Sequence, residues 1–266
     1  MANTHDHYRR GGTPILKKSS KTLSLWLAII LLAGTGGDLY SQWGVRIESG
    51  LPFQTYNEVG IPNETGTRFD FTEDFDTDGV PIPLRIRLEY TFSEKNRLML
   101  LYAPLTVNYQ SDIPFDIRFM DTDFEAGQSV DGLYRFNSYR LTYRRLFSDS
   151  GDKLQYGAGF TAKIRDARVR LSSDQLTDTK DDFGFVPLLH LFVSYRQGPW
   201  LGTFEADGLA GGPGRAFDIY TGIGRKISDN MTIQAGYRLL EGGADVEEVY
   251  NFTLIHFAAV GIYYGF

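Results

Sequence analysis

Cysteine is absent from the 266 residues. That excludes a disulfide framework, a Cys-ligated metal, a thiol nucleophile and a lipidated cysteine at the N-terminus. Long apolar runs are equally scarce. The most continuous one, Leu23 to Gly34 (LSLWLAIILLAG), has twelve residues, against the roughly 20 that an untilted spanning helix needs. Histidine is sparse: of four, only His190 and His256 follow residue 42. An excess of basic charge is missing too. The formal net charge of −6 argues against a nucleic-acid partner, which calls for a basic surface. No segment beyond residue 42 carries an apolar stripe at helical spacing.

What is present begins with an address. Lys17, Lys18 and Lys21 precede the short apolar stretch, and small residues follow it in Gly34-Thr35-Gly36-Gly37. A basic region, a short apolar core and small residues make the secretory signal pattern, with cleavage expected between Gly36 and Gln42. An uncleaved anchor helix is disfavoured by the same shortness. Loss of residues 1–42 removes five basic and two acidic residues and leaves 22 against 31, a net −9.

The body repeats with a period of two. In Leu84-Arg85-Ile86-Arg87-Leu88-Glu89-Tyr90-Thr91-Phe92 every even position is apolar or aromatic and every odd one is Arg, Glu or Thr. Successive side chains of a strand point to opposite faces, so one face is apolar and the other charged. The same alternation runs through 139–144, 154–165, 200–207 and 233–239. Sixteen Tyr and nineteen Phe coexist with a mean hydropathy of −0.25, as a wall with two unlike faces requires.

Connections alternate in length. Short polar turns are expected at Ser93–Asn96, Ser148–Asp152, Arg196–Pro199 and Ser228–Asn230. Longer ones are expected at Gln54–Pro81, Gln110–Asp131, Asp166–Phe183, Gly208–Gly214 and Glu241–Glu248. Tyr90, Phe92, Tyr143, Tyr156, Tyr195 and Trp200 stand beside the short turns, where an interfacial girdle belongs. These signals predict an all-β, antiparallel, up-and-down transmembrane barrel over residues 43–266. Ten strands are expected, near 43–53, 82–92, 97–109, 132–147, 154–165, 184–195, 200–207, 215–227, 231–240 and 249–266. An even count leaves both termini on the short-turn side. Thr67–Phe75 and Phe115–Asp121 read as loop hairpins, or as two further strands making twelve.

The last strand, Val260-Gly261-Ile262-Tyr263-Tyr264-Gly265-Phe266, alternates and ends on an aromatic. It resembles the C-terminal recognition signal of bacterial outer-membrane β-barrels, with Tyr264 and Phe266 as its aromatic positions. The resemblance implies export, recognition by the barrel-assembly machinery, and a final place among outer-membrane lipids with the termini in the periplasm. A soluble β-sandwich or lipocalin-like barrel would use the same alternation with the apolar face inward. Gly and Ala on the apolar faces, and aromatics at strand ends, favour the membrane. The segments 205–218 (EADGLAGGPGRAFD) and 236–245 (GYRLLEGGAD) look like family signatures to which the sequence attaches no activity.

An inward polar face collects Arg85, Arg87, Glu89, Arg140, Arg144, Lys163, Arg165, Glu205, Asp207, Asp218 and Arg238 in the lumen. Ten strands enclose a narrow space, and charges taken out of water need partners. Self-pairing is therefore expected ahead of a selective pore; a pore, with seven basic residues to four acidic, would favour anions. Serine hydrolase chemistry needs a hydroxyl beside a histidine. His190 and Ser194 lie four apart on one strand, about 13 Å at roughly 3.3 Å per residue, and His256 shares the register of Phe266. No catalytic residue is assigned; His190 is the one histidine worth testing as a base. Asp74-Phe75-Asp76-Thr77-Asp78-Gly79 matches the first half of a calcium loop, but Arg85 stands where its closing Glu belongs. A solvated acidic turn is expected there, and neither metal nor cofactor is assigned.

Overall fold

The structure is a computed structural model describing residues 43–149 and 151–266; the expected export signal at 1–42 lies outside the described residues. Ten strands close into one antiparallel barrel. They are β1 (Trp43–Gly60), β2 (Leu84–Ser93), β3 (Asn96–Ala103), β4 (Ser129–Leu146) and β5 (Leu154–Ser172), then β6 (Thr177–Gln197), β7 (Trp200–Gly211), β8 (Gly214–Lys226), β9 (Met231–Val246) and β10 (Val249–Gly265). Each pairs with the next, and β10 returns to β1 from Gly44↔Gly265 to Gly60↔Tyr250. The count is the ten expected.

The side-chain pattern identifies the solvent. On β2 the apolar Leu84 and Ile86 are 39% and 38% exposed, while Arg87 and Glu89 are 7% and 2% exposed. Water would select the opposite arrangement. A lipid surround makes both choices favourable, since apolar groups then face hydrocarbon and charges leave it. Phe160, Leu191, Ile223, Val260 and Ile262 continue the exposed apolar band on other strands.

The short-turn end is tied by ring contacts. Trp43 lies 4.5 Å from Tyr90, Tyr90 6.4 Å from Phe92, and Phe92 6.5 Å from Tyr143. Phe147–Tyr156 and Tyr264–Phe266 continue the belt. The β6–β7 turn places Gly198 at φ +57°, a left-handed conformation that a Cβ would strain.

At the opposite end the connections do not splay into solvent. Segments 61–83 and 113–128 fold over and into the mouth, where Phe69, Phe71, Phe75, Ile113, Ile117 and Phe119 are buried against Tyr109, Tyr134 and Leu171. Phe71 stacks on Tyr109 at 4.4 Å. Short strands serve this cap: Phe69–Asp70 pairs with β1, and Asp76–Asp78 with Thr106–Asp112. Ile117–Phe119 and Thr122–Phe124 form a hairpin, which is the loop-hairpin reading of 115–121; Thr67–Phe75 forms no hairpin of its own. Three connections expected to be long are mostly strand. The β5–β6 ladder runs to Ser172↔Thr177, β7–β8 to Gly211↔Gly214 and β9–β10 to Val246↔Val249.

Tyr109, in the cap above the Pro104 break, donates to Gln54 Oε1 and accepts from Asn57 Nδ2 at 3.4 Å. Burial pushes its phenol up to about 12, although these hydrogen bonds pull the other way. The folded value lies above the ordinary one of about 10, so the contribution is complete below about pH 10 and disappears as pH rises through about 12. The near-ultraviolet circular dichroism of the folded protein should hold to about pH 10 and decline towards pH 12, with Tyr109→Phe weakening that step. An unchanged spectrum at pH 12 would contradict this reading of the cap.

Candidate functional site

Below the cap, alternation delivers charged side chains from successive strands into one small volume. Asp218 (β8) is the centre. It accepts from Arg85 Nη2 at 2.8 Å, from Arg140 Nη2 at 2.8 Å, and from Arg238 Nη1. Glu48 (β1) takes Arg238 through two bonds, 2.6 Å from Nε and 2.8 Å from Nη2. Asp207 (β7) accepts from Arg140 Nη1 at 3.0 Å and Thr161 Oγ1 at 2.8 Å, and meets His190 Nδ1 at 2.8 Å. Glu205 holds Arg87 at 2.6 Å. Glu89 holds Arg97 at 2.7 Å, with Arg46 at 3.5 Å. Every strand from β1 to β9 contributes a side chain.

Of the residues expected in the lumen, Arg85, Arg87, Glu89, Arg140, Glu205, Asp207, Asp218 and Arg238 are brought together in this network. Arg144 is buried but lies over the Phe192 ring at 3.8 Å, with its Nε unpartnered. Lys163 is buried over the Phe136 ring at 4.6 Å. Arg165 sits further out and pairs with Asp182. Sequence reasoning omitted Arg46, Glu48 and Arg97. The first two alternate with Val45 and Ile47 and were visible by the rule that identified Arg87.

The histidines differ. His190 has the Asp207 carboxylate at Nδ1, but its buried Nε2 has no partner. A carboxylate–imidazole pair is present there without a hydroxyl nucleophile, because Thr161 donates to Asp207 instead. His256 faces outward, between the Tyr237 hydroxyl at Nδ1 and Thr55 Oγ1, 2.8 Å from Nε2. It has a hydroxyl neighbour 201 positions away in sequence, but no carboxylate among the described residues pairs with it. In the acidic turn, Asp74 accepts the Asp70 amide at 2.8 Å, and Asp76 and Asp78 lie on a paired strand. Among the described residues no group of three His, Asp or Glu could hold a metal.

Closure joins the first and last strands. Tyr264 pairs with Val45, and Phe266 exchanges backbone bonds with Trp43. The Tyr264 ring faces outward beside Phe266.

No family model and no curated protein matches the chain. Among solved structures it is similar to the outer membrane protease OmpT of Escherichia coli, at 12% identity and a TM-score of 0.48, over 88% of this chain and 99% of that one. It is similar to the translocator domain of the autotransporter NalP of Neisseria meningitidis, at 11% identity and 0.43, over 93% and 97%. It is also similar to Ail, the attachment invasion locus protein of Yersinia pestis, at 12% and 0.36, over 85% and 99%.

Removing Asp218 takes a carboxylate from three buried guanidinium groups and leaves them to share Glu48 and Asp207. Asp218→Ala should therefore cost about 3–5 kcal/mol, read as a lowered urea midpoint in detergent or lipid. The exposed pair Arg118–Asp123, at 3.2 Å, serves as the control: Arg118→Ala should cost less than about 1 kcal/mol. Equal shifts would show that the network does not hold the barrel. Closed on itself at ten antiparallel strands, apolar outward and charged inward, the chain is a small antiparallel β-barrel.

Proposed function

We propose that the protein is a closed outer-membrane scaffold that binds through its capped outer end and neither conducts ions nor hydrolyses lipid. The carrying observation is that the lumen is filled at two levels. Asp218 with Arg85, Arg140 and Arg238 occupies the middle, and Phe71, Tyr109 and Tyr134 occupy the mouth. In this reading the termini lie in the periplasm and the barrel-assembly machinery recognises Tyr264 and Phe266. The surrounding outer-membrane lipids contact the apolar band.

Two rival functions have weaker support. An anion channel would draw on the eight lumen cations, Arg46, Arg85, Arg87, Arg97, Arg140, Arg144, Lys163 and Arg238, which exceed the five lumen carboxylates, Glu48, Glu89, Glu205, Asp207 and Asp218. It would also need the cap to leave the mouth, exposing a core whose large side chains contribute roughly 1.5–3 kcal/mol each. A lipid hydrolase would use His190, which lacks a nucleophile on its free nitrogen. Purified, heat-modifiable protein in a planar bilayer should give no steady single-channel current at either polarity. A stable, anion-selective conductance would overturn the closed reading. Unchanged lipid profiles in cells with His190→Ala are expected alongside, and a lost lipid product would restore the hydrolase.

A further inference from the structure

The two glycine-rich segments at 205–218 and 236–245 acquire a role once the ladders are followed outward. The β6–β7 pairing runs from Gln197↔Trp200 to Leu189↔Gly208 and stops. Above that point residues 177–188 of β6 pair only with β5, and residues 209–211 of β7 only with β8. The wall has an open seam there. Pro187 sits at its edge, a position that tolerates proline because no ladder bond is lost.

Behind the seam lies a chamber of about 740 Å³, within the roughly 300–1,000 Å³ typical of small-molecule sites. It exists because the inward positions of β7, β8 and β9 change from large to small along the chain. Glu205, Asp218 and Arg238 fill the lumen below, while Gly211, Gly214, Ala216, Gly242 and Ala244 leave space above. Leu209 points inward and is nevertheless 42% exposed, so it faces this space.

Among the described residues one cation in the chamber has no carboxylate in direct contact. Arg165, Arg168, Lys180 and Arg215 each have a carboxylate: Asp182, Asp181 at 2.6 Å, Glu248 at 3.5 Å and Glu241 at 2.5 Å respectively. Lys163 lines the same chamber at 3% exposure, and among the described residues no carboxylate lies within 4.0 Å of it. Arg165 adds a buried Nε without a partner. An ammonium buried against the Phe136 ring, with no carboxylate in direct contact, costs several kcal/mol, and an anion entering the chamber would supply the missing contact.

Depth identifies the occupant. A strand tilted by about 40° climbs about 2.5 Å per residue, so the seam opens about 15 Å above Tyr195 at Leu189 and reaches about 25 Å at Phe185. Lys163 pairs with Val186, at the level where an outer interface falls. Phe185, 67% exposed, and Leu189 offer apolar surface just outside the opening. We propose that the head group of an anionic outer-leaflet lipid, through its phosphate or carboxylate, enters this seam sideways and is held by Lys163 and Arg165 while its acyl chains remain against Phe185 and Leu189.

The inference rests on the outer-membrane reading but not on the closed lumen, and its test separates the two. Full-length folded protein would be mixed with phosphatidylglycerol or phosphatidylcholine in detergent and analysed by native mass spectrometry. Wild type should retain one phosphatidylglycerol. Lys163→Met should lose it by about tenfold, the effect of one charge-assisted hydrogen bond, with phosphatidylcholine adducts unchanged. Leu209→Trp, which keeps the lysine and fills the chamber, should lose it as well and decides the matter if Lys163→Met fails to fold. Equal phosphatidylglycerol retention by wild type and either folded variant would overturn the site. Protection against heat by inorganic phosphate, with no lipid retained, would show a soluble anion as the occupant and overturn the lipid. Absence of heat-modifiable migration in wild type would remove the membrane reading and the site with it.

Discussion

The structure depends on the pairing of buried charge across a narrow lumen. Asp218 joins Arg85, Arg140 and Arg238, which come from three strands far apart in sequence. Relative to apolar packing such a cluster gains little net stability, but breaking it is costly. Its larger effect is on register. A one-residue slip of β2 would send Arg85, Arg87 and Glu89 to the outer face, where an arginine near the bilayer midplane costs about 2–4 kcal/mol. The network therefore rejects wrong pairings more strongly than it rewards the right one.

A second constraint divides the lumen by height. Charges occupy the part level with the bilayer, and aromatic and aliphatic side chains occupy the mouth, where segments 61–83 and 113–128 turn their apolar residues down onto Tyr109 and Tyr134. The cap is a hydrophobic core in its own right, enclosed by strand extensions that have left the membrane. There the outward faces meet water, and ion pairs such as Arg168–Asp181, at 2.6 Å, stand on them at little cost.

That change of solvent explains what could and could not be read from the sequence. Strand identity and number were legible because alternation is a local property, plain in 84–92 and 154–165. Charge on the inner face was legible for the same reason. The partners were not, because a period of two tells which face a side chain takes and nothing of which distant strand lies across the lumen. Glu48 and Arg46 obeyed the alternation and were passed over among flanking Gly and Ser. Residues 166–183 looked like a loop because polar residues occupy both faces, although the hydrogen-bonded ladder continues to Ser172↔Thr177. Phe69, Phe71 and Phe75 alternated well enough to suggest a loop hairpin or an extra strand; burial of both faces within the cap, which no periodicity marks, turned them into a plug.

The seam between β6 and β7 follows from the same physics. Backbone donors and acceptors cannot be left bare in hydrocarbon, which is why barrels that span membranes close completely. Pairing that stops at Leu189↔Gly208 leaves unpaired groups from about 15 Å above the inner girdle, whereas the apolar band of such a barrel is about 25 Å tall. Some 10 Å of open wall thus falls within the height of such a band. Pro187 has no N–H to leave bare, and Gly211, Gly214 and Ala216 withdraw side chains from the space behind. A sequence selected only for closure would have extended the β7 ladder and filled the chamber with the large residues found elsewhere in the mouth. An opening at this depth, walled by small residues and containing the unpaired Lys163, is the arrangement expected where a polar, negatively charged group must enter from the membrane side and take over the hydrogen bonds that the wall gives up.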